Sequence, residues 1–83
     1  MENLPYLEGS QVALLRAKAS TGHIIDENYE IVNGDFKNAF TIFNDVNIAL
    51  PAAREIVSEN KDVECTIFDK EGAILHHITT DNF

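Results

Sequence analysis

The sequence predicts an α+β protein, a two-layer sandwich in which one main helix, about residues 46–60, covers a four-stranded antiparallel sheet in the order ββαββ. Three observations carry that expectation. Apolar residues recur at spacings of three and four through VNIALPAAREIV, apolar and other residues alternate through VECTIF, and turn signals (NG and DKEG) stand between runs with strand character. Eighty-three residues with 45% apolar content make one domain, 1–83, with a modest core.

The lead-in MENLPYLEG reads as irregular, with Leu4, Tyr6 and Leu7 available to tuck against the domain. It has no basic region followed by an apolar stretch, so no signal peptide is expected. In SQVALLRAKASTG, propensity favours an N-terminal helix, because Ser10 suits a cap, the interior is rich in helix formers and Gly22 is a stop. The rival is an edge strand over Gln11 to Lys18. Asn33-Gly34 is the strongest short hairpin signal, since a tight hairpin turn needs positive φ at both central residues. It predicts strands near 28–32 and 36–43, the second strengthened by Thr41, Ile42 and Phe43.

In the helix, Val46, Ala49, Leu50, Ala53, Ile56 and Val57 form one apolar stripe. Asp45 or Asn44 is placed to accept from the first free backbone amides. Arg54, Glu55, Ser58 and Glu59 fall on the wet side, and Pro51 lies off the stripe at the expense of one helical hydrogen bond. Two strands around DKEG close the chain, Gly72 supplying a positive φ. The segment running from Phe43 through Ala49, Ala53 and Asp69 to Gly72 resembles small bacterial ββαββ domains of unknown function. The resemblance covers roughly half the chain, implies the architecture and implies no activity.

The pair His76-His77 is the most conspicuous candidate for chemistry. On a strand, successive side chains face opposite ways, so the two imidazoles are not expected to share a metal ion. A hairpin loop of three residues, Lys70 to Gly72, sets Cys65 opposite His77, whereas a two-residue loop sets it opposite His76. Either register puts the one thiol beside an imidazole, the arrangement a thiol nucleophile needs. Against that, Cys65 lies between Val63 and Ile67 on an apolar face, where an inert thiol is expected, and no third group or glycine-rich oxyanion loop is visible. A single cysteine also fits a reducing compartment, and the expected location is the cytoplasm.

Charge is the other strong signal. Fourteen acidic and six basic residues give a net charge of −8. Glu2 and Glu8 cancel Arg16 and Lys18, so the whole excess lies after residue 25, concentrated in 26–35 and 55–64. Such a surface repels phosphate backbones, so direct nucleic-acid binding is not expected. DENYEIVNGD lacks the oxygen-ligand alternation of a calcium loop, and no run approaches the length of a membrane span. Glycine-rich phosphate loops, zinc spacings and serine-centred motifs are missing.

The expectation is therefore a non-enzyme without a cofactor that binds a protein partner of basic character, an inhibitor or immunity-type role being its most concrete form. Asp26, Glu27, Glu30 and Asp35 are the candidate contacts. The contrasting reading is a small-molecule or metal-binding module using the sheet face around Phe68, Ile74 and His76.

Overall fold

Val12, Ala13, Leu14 and Leu15 are all buried in the computed structural model, which describes residues 4–34 and 36–83. Four consecutive helical positions span most of a turn and cannot all face one core, whereas a strand covered on both sides buries every residue. The segment is accordingly strand β1, Val12–Lys18. It is neither the expected helix nor an edge. Ala, Leu, Arg and Lys favour helices locally, but pairing on both edges and burial on both faces outweigh that weak preference.

Strands β2 (Ile24–Ile25) and β3 (Phe40–Phe43) share one edge of β1. β3 pairs along Val12–Leu15, and β2 along Arg16–Ala17. Helix α1, Val46–Glu59, follows, then β4 (Val63–Phe68) and β5 (Ile74–Ile78). β4 pairs with the other edge of β1 from Ala13↔Phe68 to Lys18↔Val63, and β5 lies outside β4. All pairings are antiparallel, so the fold is an α+β sandwich of one helix and a five-stranded sheet.

The helix forms where the stripe predicts it. Asp45 caps it by accepting from the Ile48 amide at 3.1 Å, and Asn60 ends it with backbone and side-chain bonds to the Ile56 carbonyl. Ala49, Ala53 and Val57, spaced by four, are fully buried, while Val46, Leu50 and Ile56 flank them half-buried. Two alanines on the contact line let α1 approach the sheet closely, chiefly over β4. Pro51 sits on the exposed side.

This core takes Val12, Leu14, Ile25, Val63, Cys65, Ile67 and Ile78 from the sheet. The opposite face is covered too. Leu4, Leu7, Val32, Phe36 and Ala39 pack there on Ala13, Leu15, Phe40 and Phe68, with Phe40 and Phe68 edge-to-face at 6.2 Å. Leu7 thus tucks in as expected, while Tyr6 stays exposed.

The expected hairpin of 28–32 with 36–43 does not form. Gly34 has the positive φ (92°) that the turn demands, but Asn33 does not share it, and Phe40–Phe43 pairs with β1. The actual reversal comes earlier, where Ile31 bridges Ile25 and the Val32 amide donates to the Ile24 carbonyl. DENYE is its loop. A short 3-10 turn, Lys37–Ala39, then leads the chain into β3.

Candidate functional site

Two loops of this protein have the same hydrogen-bond plan. In the first, Asp26 accepts at Oδ1 from the Asn28 amide (2.8 Å) and the Glu30 amide (3.1 Å), its carbonyl accepts from the Tyr29 amide, and its own amide donates to the Glu30 carbonyl. In the second, Asp69 accepts at Oδ1 from Glu71 and Ala73 (2.9 Å each), its carbonyl accepts from Gly72, and its amide donates to the Ala73 carbonyl. Both are three-residue hairpin loops whose last residue must take positive φ. The second loop fills that position with Gly72 (φ 83°), the usual choice. The first fills it with Tyr29 (φ 64°), the one described non-glycine residue in that conformation. An L-residue held there costs about 1–2 kcal/mol. The side chain is only partly covered in exchange, for Tyr29 is 41% exposed.

Beside Tyr29, Glu27 is fastened to the sheet. The Thr41 hydroxyl donates to Glu27 Oε2 at 2.8 Å and accepts from Arg16 Nη1 at 2.8 Å. Because a guanidinium only donates, the hydroxyl proton must point to Glu27, which is thereby held as an acceptor. Arg16 is itself buried at 7% exposure, its Nε has no partner, and among the described residues no carboxylate pairs with it directly. The loop therefore presents a fixed carboxylate, a partly exposed tyrosine and the exposed Glu30, with the half-exposed Ile31 next in the chain.

Of the four candidate contacts, Glu27 and Glu30 lie on this loop, Asp26 is its internal fastener, and Asp35 lies outside the described residues. The loop was legible in one respect that the Asn33-Gly34 signal obscured. Ile24-Ile25 before Asp26 and Ile31-Val32 after Glu30 repeat the frame of Ile67-Phe68 before Asp69 and Ile74-Leu75 after Ala73.

The second acidic segment does not join the first as a single face. Glu55 and Glu59 lie on the outer side of α1, and Asp62 clasps Ser20 through its amide (2.9 Å) and hydroxyl (2.8 Å). Glu64 points to the sheet face away from the helix, beside His77. Alternation along a strand and the exit from a helix send neighbouring charges in different directions.

The histidines face opposite ways, His77 across from Thr66 and His76 across from Ile67. Asp69 faces Ala73 as a three-residue loop requires, yet Cys65 stands opposite Ile78, not a histidine. A bulge at Leu75 inserts one residue and shifts every later pairing by one. His77 instead meets Thr66 Oγ1 at Nδ1 (2.9 Å) and Glu64 Oε2 at Nε2 (3.6 Å). With the imidazole 47% exposed, this trio is a surface cross-strand cluster, not a desolvated nucleophile and base.

Cys65 has no accessible surface, and burial pushes its thiol from 9.0 up to about 11, Arg16 opposing and Glu64 adding to the shift. A raised acid pKa means that the folded state favours the thiol, so this contribution to stability is complete below pH 9 and lost as pH rises to about 11. Cys65→Ala should therefore flatten the alkaline limb of the stability profile, as measured by denaturant midpoints between pH 8 and 11. Wild-type thiol labelling at pH 8 should proceed only at the rate of unfolding.

Phe68, Ile74 and His76 do not make one site. Phe68 is buried in the far core, Ile74 stands exposed on that same face, and His76 projects on the helix side. Among the described residues no three His, Cys, Asp or Glu side chains converge to hold a metal, and no helix is long and apolar enough to cross a membrane. No protein-family model, curated protein or solved structure matches the chain.

Proposed function

We propose that the protein is a small acidic binding module, non-enzymatic and cytoplasmic, whose partner is a basic protein. The partner docks on the 26–31 loop, with Tyr29 as anchor and Glu27 and Glu30 as its charged neighbours. The observation that carries this reading is the comparison of the two loops. One uses glycine at the left-handed position, while the other keeps a tyrosine there, strained and with 41% of its surface still exposed. Backbone strain kept at a surface loop is a mark of functional positions. Tyrosine brings large contact area with little entropy to lose, which suits the centre of an interface. The net charge of −8 would steer a basic partner and raise its on-rate. Inhibition of that partner, as by an immunity-type protein, is the most concrete form of the role. The buried single thiol fits a reducing compartment.

Tyr29→Gly is the decisive variant. It should raise folding stability by about 1 kcal/mol, because the left-handed conformation suits glycine. It should also abolish capture of the partner from native lysate. Glu27→Lys with Glu30→Lys should weaken capture most at low salt. If Tyr29→Gly lowers stability and leaves capture unchanged, Tyr29 is a packing residue and the reading falls.

A further inference from the structure

The start of β1, the first turn of α1 and the tip of the β4–β5 hairpin line an open depression of about 370 Å³. That volume is at the low end of those that hold small ligands. Val12, Val46 and Leu75 give it an apolar patch, beside the polar Ser10, Gln11 and Asn47. Leu75 reaches it because it is the extra residue of the β5 bulge, and bulges re-aim side chains in this way.

The rim is charged, with Asp45, Asp69 and Glu71 against Lys70. Asp45 and Asp69 each commit Oδ1 to backbone amides, which fixes the direction of their carboxylates. Two tendencies compete here. The α1 N-terminus, worth roughly half a positive charge, and Lys70 favour an anion. Three carboxylates favour a cation, and the formal sum stays negative by about 1.5 charges after the helix end is counted.

We propose that this depression receives a basic side chain of a partner protein, its methylene stem on Val12, Val46 and Leu75 and its cationic head among the carboxylates. The proposal rests on the partner reading above but uses a different surface from the 26–31 loop. An apolar patch beside charged groups matches a basic side chain, whose stem is apolar and whose head remains polar.

Three probes of equal length and different head charge test it: n-pentylamine, n-pentanol and pentanoate, followed by methyl NMR of Val12, Val46 and Leu75. Pentylamine should shift these methyls and pentanoate should not. Glu71→Gln should weaken pentylamine roughly two- to fivefold, the scale of a surface charge pair, and Lys70→Gln should tighten it by a similar factor. Capture of the partner should weaken in Glu71→Gln as well. Stronger binding of pentanoate would show that the helix end and Lys70 dominate, and would overturn the proposal. So would equal binding of pentanol, or no binding by any probe. Pentylamine binding with partner capture indifferent to Glu71→Gln would also overturn it, by assigning the depression to free amines. None of these results touches the loop reading, which stands or falls on Tyr29→Gly.

Discussion

Leu14→Ala should destabilise the protein by about 3–5 kcal/mol, the range for a leucine truncated in a packed core. Leu14 has no exposed surface, pairs with Thr41 on one side and Ile67 on the other, and faces α1. The core around it is built from every strand of the sheet and the helix, so little relaxation is available. Leu15→Ala should cost less, since Leu15 faces the smaller core covered by the lead-in and the loop residues Val32 and Phe36, which can move to close a gap. The measurement is the urea midpoint at constant slope. A loss below about 0.5 kcal/mol at Leu14, the scale of surface substitutions, would contradict its place at the centre of the sheet.

Asp69→Ala should cost about 1–3 kcal/mol, and Asp26→Ala a similar amount. Each aspartate satisfies two backbone amides with one oxygen, and bonds to a charged acceptor are stronger than neutral ones. Solvent reaches both loops, which puts the expected value below the sum for two buried bonds. Replacement by Asn should retain most of the stability, because its side-chain oxygen can accept the same amides. The two loops should separate when read by function. Asp26→Ala unfastens the loop that carries Tyr29 and should reduce partner capture along with stability. Asp69→Ala should cost stability while leaving that loop intact. Equal loss of capture in both would mean that capture follows folding alone.

Local signals were dependable where one local interaction decided the conformation. The Asp45 cap and the stripe through Val57 lie within α1 or one residue before it, and the helix runs where the stripe predicts. The alternation in VECTIF became β4 for the same reason, and the opposed histidines follow from the period of two along β5. Gly34 took its positive φ, but that is a property of one residue, whereas a hairpin also requires two flanking strands to prefer each other. They did not, because Phe40–Phe43 had a longer partner in β1.

Sequence by itself determined the α+β class, the helix and its buried line, the place of the final hairpin, the opposed histidines and the acidic balance. Each of these depends on spacing within one segment or on composition. Tertiary structure alone decided that Val12–Lys18 is the central strand, since only neighbours on both edges and covers on both faces can overrule its helical preference. It also decided the one-residue shift at Leu75 that separates Cys65 from both imidazoles, and the dispersal of the second acidic segment. The left-handed conformation of Tyr29 became visible only there, because a glycine marks the Asp69 loop for the eye while a tyrosine in the same conformation hides the Asp26 loop.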